Sequence, residues 1–280
     1  KYLPPRHHHA WLPFALWALL LCFPDAAYPQ AKGYYRYPAL HKDLIVFVAE
    51  GDLWTVPLQG GAATRLTTHP GEETHPVISP DGKQVAFTAN YEGVPEVYTM
   101  PLSGGLPKRW TYESEASTAT TWTPGGDIVY TTSHYSTLPN LQLVRIGPSG
   151  KHVQVPLAEA SEGTFDASGK TVFFVRPSDH RNVTKRYKGG TARRIWKYTE
   201  GTDEAIELSD GYRGESHHPM WWNGRVYFIT DRDSIMNIWS MDGNGKDLRQ
   251  HTKQTVHDVR SASLYDFAIV QGGGAHVMNG

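Results

Sequence analysis

The stretch that decides the fold is LIVFVAEGDLWTVPLQGGAATRLT, residues 44–67. It contains an apolar run (44–48), a second run with a tryptophan (53–56), and a third run that ends in Leu-Thr. Glu-Gly-Asp and Gln-Gly-Gly separate the runs, and glycine in such short breaks is typical of tight turns between antiparallel strands. The pattern therefore predicts three successive β-strands.

The same unit recurs along nearly all of the chain, at intervals of about 40 to 50 residues. Its apolar run returns as VAF (85–87), IVY (128–130), VFF (172–174), VYF (226–228) and FAIV (267–270). A period of this length built from strands is typical of solenoids and propellers, including WD40-like repeats. We interpret these apolar runs as the inner strands of the repeated units.

The repeated Pro-Asp-Gly-Lys type of turn (80–83) and the four short strands per unit favour a propeller over a β-sandwich, which would not need such repetition. We therefore predict an all-β fold: a β-propeller of four-stranded antiparallel blades over residues 33–280, with five blades complete and a sixth truncated. A ring with a truncated last blade is expected not to close, which would leave strand edges exposed.

The first 32 residues differ in kind from the repeats. Arg6 and three histidines precede an apolar run (10–23) whose length suits a signal peptide better than a bilayer span. We predict a signal peptide or another hydrophobic segment at 1–32, and hence export to the periplasm or the cell exterior. The alternatives are a membrane anchor or a mistranslated upstream region, and a cytoplasmic location. The single cysteine, Cys22, excludes an internal disulfide.

Composition and motifs argue against several functions. The formal net charge of −1 does not indicate nucleic-acid binding, which is typical of strongly basic domains. The sequence contains no G-x-S-x-G, P-loop, H-E-x-x-H or cysteine-based metal motif, so we expect no catalytic residues, no cofactor and no metal in this chain.

His217 and His218 would point to opposite faces of a strand, which favours packing over metal ligation. Asp231, Asp233 and Asn237 lack the glycine and distal glutamate of a calcium loop, which favours a solvated turn.

One hairpin concentrates basic residues around Gly-Gly at 189–190. Its cations are Lys185, Arg186, Lys188, Arg193 and Arg194. A solvated basic loop is one interpretation. The other is an anion site for a peptide carboxylate, because an arginine fork matches a carboxylate with two hydrogen bonds.

The order of the motifs resembles the start of the tricorn protease family. The resemblance covers about 33–280 and rests on YYRYP (34–38), FVAEGDLW (47–54), HP (75–76), SPDGK (79–83), RYKGGTA (186–192), YFITD (227–231), IWS (238–240) and GKDLR (245–249). The single-blade motifs also occur in TolB-like propellers. Their order, and the insertion before IW (195–196), are more specific.

The resemblance implies an N-terminal six-bladed propeller, followed by a seven-bladed propeller, a PDZ domain and a serine-protease core that holds the catalytic residues. It implies that the propeller guides peptides to or from a closed chamber, in a hexameric particle. It also implies arginines that hold a substrate C-terminus, for which Arg193 and Arg194, the adjacent arginine pair of this sequence, are the candidates.

The leading functional hypothesis is therefore a non-catalytic propeller that guides or gates peptides for a tricorn-like serine peptidase. Its expected partners are peptides, the remaining domains of the same polypeptide and further copies of the chain. The alternatives are a TolB-like periplasmic protein-binding propeller without enzymatic activity, and the propeller of a prolyl-oligopeptidase-type enzyme. The sequence after residue 280 would separate these three.

Overall fold

The structure is a computed structural model that describes residues 34–177, 186–209, 211–265, 268–271 and 277–279. The predicted signal peptide at 1–32 lies outside the described residues. Within the described ranges every regular element is a β-strand. A search of these residues for a helix long and apolar enough to cross a membrane finds none.

Five four-stranded antiparallel sheets follow one another along the chain, each in simple sequence order. The first three contain β1 (Arg36–His41), β2 (Leu44–Ala49), β3 (Asp52–Pro57), β4 (Thr64–Arg65); β5 (Glu73–Ile78), β6 (Gln84–Ala89), β7 (Glu96–Pro101), β8 (Lys108–Arg109); β9 (Ser117–Trp122), β10 (Ile128–Thr132), β11 (Gln142–Ile146) and β12 (His152–Gln154). The next two contain β13 (Ser161–Phe165), β14 (Thr171–Arg176), β15 (Arg194–Thr199), β16 (Ile206–Glu207); β17 (Ser216–Trp222), β18 (Arg225–Thr230), β19 (Asn237–Asp242) and β20 (Arg249–Gln250). These are propeller blades, so the predicted fold class is confirmed for five blades.

The first strand of each blade lies innermost, because β1, β5, β9, β13 and β17 contact one another in that order. The apolar runs that we interpreted as inner strands are instead the second strands of the blades, so that interpretation is wrong. The physical reason is burial: β6 and β10, for example, are covered on both faces by neighbouring blades, and nearly all of their residues are buried. The innermost strands border the central channel on one side and therefore carry polar residues.

A three-stranded sheet follows the fifth blade and contains β21 (Ala262–Tyr265), β22 (Ala268–Gln271) and β23 (Val277–Asn279). Its strand β21 packs against β17 on one side and β1 on the other. The backbone N–H of Leu40 donates to Ser263 Oγ at 2.9 Å. The ring of innermost strands is therefore continuous. The expectation that the ring does not close is wrong for these strands.

A threonine that recurs just after the outermost strand has a clear structural role. In the first blade, Thr67 Oγ1 accepts from the backbone N–H of Leu53 at 2.8 Å and donates to Glu73 Oε2 at 2.9 Å. Thr111 and Thr252 accept in the same way from Val97 and Ile238, each at 2.8 Å. The threonine thus satisfies a buried N–H at the point where the outermost strand ends.

We expect Thr67→Val to lower the free energy of unfolding by about 2 kcal/mol, because the isosteric valine leaves the buried N–H of Leu53 without an acceptor. Thr68→Val is the matched control, since Thr68 is exposed and should change stability by less than about 0.5 kcal/mol. Urea unfolding of both variants measures the difference. Equal effects of the two substitutions would contradict this role of Thr67.

Candidate functional site: the central channel

The innermost strands surround a cavity of about 490 Å³ at the centre of the ring. Its wall consists mainly of residues from β1, β5, β9, β13, β17 and β21. This volume lies in the range of ligand-binding pockets in proteins. Since a seven-residue strand such as β17 is about 23 Å long, the cavity can hold an extended segment of chain.

Four of the innermost strands share a local distortion. The residues Tyr37, His75, Glu162 and His218 have positive φ angles of 49°, 50°, 47° and 57°. In each case the register with the second strand shifts at that residue, which is a β-bulge. Bulges re-aim side chains, and all four residues line the cavity.

The channel is polar near one end and apolar near the other. The four bulged residues occupy the second or third place of their strands and form the tier that we call the polar tier. Residues nearer the ends of the innermost strands form the apolar tier, which contains Leu40, Ile78, Trp122, Trp221 and Leu264. A ligand with one charged end and an apolar body would match both tiers.

Glu162 is the one residue with a carboxylate among the described residues that line the cavity, and none of these residues is Lys or Arg. Its Oε1 accepts from Arg193 Nη1 at 2.9 Å, and its Oε2 accepts from the backbone N–H of His218 at 2.7 Å. His217 Nδ1 lies 3.5 Å from Oε2. About a third of the Glu162 side chain remains open (33%), which agrees with its place in the cavity wall.

Electrostatics keep Glu162 charged and the channel histidines neutral. Burial opposes ionisation of Glu162, but the hydrogen bond and charge of His217, together with the Arg193 guanidinium, hold its pKa well below the ordinary value. Burial lowers the pKa of His218, and burial lowers that of His75 to about 4 although the Glu162 carboxylate opposes the shift. Near pH 7 the lining of the channel thus carries one negative charge.

The structure places Arg193 and Arg194 against different partners. Arg193 Nε donates to Glu215 Oε2 at 2.9 Å, in addition to its bond with Glu162. Arg194 Nη2 donates to the carbonyl of Gly189 at 3.1 Å, and its Nη1 lies 3.5 Å from Glu207. Peptide-carboxylate binding by the two arginines stays a prediction.

The other residues considered from the sequence have structural partners. His217 and His218 belong to the innermost strand β17 rather than to a segment between blades, and His218 Nε2 lies 2.6 Å from the carbonyl oxygen of Ala262. Asp233 Oδ2 accepts from Asn237 Nδ2 at 3.0 Å. No group of three or more potential ligands placed to hold a metal ion is found among the described residues.

The sequence interpretation missed the channel wall, although a signal was available. Three of the four bulged residues precede proline, as Tyr37-Pro38, His75-Pro76 and His218-Pro219. A bulky residue before proline at the same place in several repeats indicates a repeated backbone feature. Glu162 precedes Gly163 instead and has no such signal.

A family model described as the tricorn protease N-terminal beta propeller domain matches residues 32–279. The chain belongs to this family. Tricorn protease homolog 1 of Streptomyces coelicolor is 33% identical over 226 residues, which are 80% of this chain and 21% of the relative. The tricorn protease homolog of Saccharolobus solfataricus is 30% identical over 238 residues, or 83% of this chain and 22% of the relative. The chain thus spans about a fifth of the length of these relatives.

Solved structures agree with the family. The crystal structure of the tricorn protease superposes with a TM-score of 0.76 at 26% identity, covering 89% of this chain and 25% of that chain. TolB from Agrobacterium tumefaciens superposes with a TM-score of 0.64 at 17% identity, covering 78% of this chain and 80% of that chain. At that identity the likeness to TolB shows the propeller fold alone. Relatives in Sulfurisphaera tokodaii are named as separate N-terminal and C-terminal subunits of a tricorn-like protease.

Proposed function

We propose that this chain guides peptides through its central channel to or from the proteolytic core of a tricorn-like serine peptidase. The catalytic chemistry lies outside the chain in this proposal. The observation that supports it most is the bulge repeated in β1, β5, β13 and β17. A non-glycine residue with positive φ costs about 1–3 kcal/mol, and such strain is concentrated at functional sites. The neighbouring β9 also shifts register with its second strand, but it does so without a residue of positive φ.

The channel wall suits an extended peptide. Thr118, Thr120 and Ser263 also line the cavity, and their hydroxyl groups can pair with peptide N–H and C=O groups. Trp122 and Trp221 provide apolar contact area in the apolar tier of the channel. A guiding channel requires both kinds of contact, since a peptide presents a polar backbone and varied side chains.

We further propose that the sheet β21–β23 is part of a sixth blade. In support, β21 takes the place between β17 and β1 that the first strands of the five blades take between their own neighbours. A sixth blade completes the wall of the channel, to which β21 contributes Ser263 and Leu264.

The proposed partners are the domains that make up the rest of the relatives' length. These domains belong either to the same polypeptide or to a second subunit, as the names of the Sulfurisphaera relatives indicate for those proteins. Association of the whole protein into a hexamer stays a prediction from the family resemblance.

Binding of short unmodified peptides to this chain tests the proposal. We expect titration to quench or shift the fluorescence of Trp122 and Trp221, because both line the cavity. Thr120→Trp should narrow the channel and weaken binding by at least about tenfold, which is about 1.4 kcal/mol. Isothermal titration calorimetry provides the affinities.

Thr64→Trp is the matched control, because Thr64 is exposed on the outermost strand β4 and its change should leave the affinity within about twofold. Thermal unfolding checks that both variants keep the fold. Peptide binding that Thr120→Trp leaves unaltered would contradict passage through the channel.

A further inference from the structure

Glu162 has capacity for another hydrogen-bond donor. A carboxylate offers about four lone-pair sites, and the structure occupies at most three of them, with the Arg193 guanidinium, the His218 backbone N–H and the nearby His217 ring. The third of its side chain that stays open faces the cavity. A donor that enters the channel can therefore reach this carboxylate.

The charge around Glu162 is only partly compensated. Arg193 bonds to Glu162 and also to Glu215, so that one guanidinium is shared by two carboxylates. Glu215 is almost fully buried, at 1% exposure, and does not line the cavity. Glu162, Glu215 and Arg193 together carry a formal charge of −1, and Glu162 is the member that meets the channel.

We propose that the channel binds the ammonium end of a peptide, with Glu162 as the counter-ion. An ammonium group has three donors, which suits the open lone-pair site of Glu162 together with water molecules or hydroxyl groups. The first side chains of the peptide then lie against the apolar tier, at Trp122 and Trp221. The proposal rests on the proposed peptide-guiding function and adds to it a direction: the amino terminus occupies the polar tier.

Three versions of one short apolar peptide test this site: free at both ends, N-acetylated, and C-amidated. Acetylation removes the ammonium charge and should weaken binding to this chain by at least about tenfold. Amidation should leave the affinity within about twofold. Isothermal titration calorimetry at pH 7 gives the three affinities.

Two glutamine variants locate the effect. Glu162→Gln should abolish the preference for the free peptide over the acetylated one. Glu215→Gln is the matched control, because Glu215 shares the same Arg193 but does not line the cavity, and it should retain the preference. If Glu162→Gln fails to fold, the comparison of free and acetylated peptides on the unaltered chain still shows whether the channel binds the ammonium group.

Equal affinities of the free and acetylated peptides would overturn the ammonium site and leave the guiding channel standing. A larger effect of amidation than of acetylation would overturn it in favour of a carboxylate anchor. A preference that survives in Glu162→Gln would remove Glu162 from the site. If none of the peptides binds, the proposed function fails and this inference fails with it.

Discussion

Replacing Arg193 by alanine is expected to lower the free energy of unfolding by about 3–5 kcal/mol, the cost of removing one partner from a buried ion pair. The guanidinium lies 2.9 Å from both Glu162 and Glu215. Without it, two carboxylates remain close to each other with no counter-ion between the fourth and fifth blades. Urea unfolding at pH 7 measures the loss.

Arg194→Ala is the matched control on the next residue. Among the described residues its side chain reaches the carbonyl of Gly189 and the partly exposed Glu207, so the expected loss is about 1 kcal/mol or less. A loss of similar size in both variants would contradict the structural role of Arg193. The two variants also bear on the prediction that Arg193 and Arg194 bind a peptide carboxylate. Because Arg193→Ala is expected to destabilise the fold, a loss of peptide binding in this variant has to be distinguished from a loss of folded protein.

Glu73 is expected to make the protein less stable as the pH rises from about 4.5 to 7. Burial raises the pKa of Glu73 to about 7, although hydrogen bonds from Tyr91 and Thr67 oppose the shift. A folded-state pKa above the unfolded value means that the stabilising contribution is complete below the unfolded pKa. It is lost as the pH rises through the folded pKa. The shift corresponds to about 3 kcal/mol.

Glu73→Gln should remove this pH dependence, because the glutamine amide has no proton to lose in this pH range. The measurement is the free energy of unfolding of both proteins between pH 5 and pH 8. Glu200→Gln, in an exposed turn, is the control. If the free energies of unfolding of Glu73→Gln and the unaltered chain differ by the same amount at every pH in this range, Glu73 is not the group that causes the pH dependence.

The blades could be predicted from sequence because their second strands are buried on both faces. Phe87 and Phe174 are fully buried in such strands, and their apolar neighbours repeat at nearly constant spacing. The turn at 79–83 could also be predicted from the sequence. Gly82 has a φ of +71°, and a Cβ there would lie 2.5 Å from the His41 ring, so only glycine fits.

The innermost strands could not be recognised in the same way. The strand STATTW (117–122) has little apolar patterning, because alternate residues face a channel rather than a core. Tyr37, His75 and His218 sit at bulges before proline, which breaks the period of two on which strand recognition depends. The apolar signal therefore marked the second strands, which were interpreted as the inner ones.

The candidate site depends on contacts that no local pattern contains. Glu162, His217 and Arg193 lie far apart along the chain and meet only when two blades pack. The pair Arg193 and Arg194 was noticed for its charge, but the Glu162 and Glu215 contacts of Arg193 were not foreseeable from its neighbours in sequence. The continuity of the inner ring also depends on tertiary contact, since β21 packs between β17 and β1.

Photo-crosslinking tests the central claim, that peptides enter the channel, most directly. A short peptide with a benzophenone side chain is bound to this chain and irradiated, and mass spectrometry maps the adducts. We predict adducts on the innermost strands, at cavity residues such as Met220 and Leu264, and their loss in Thr120→Trp. Adducts confined to the outer strands, or adducts that Thr120→Trp leaves unchanged, would contradict a peptide channel.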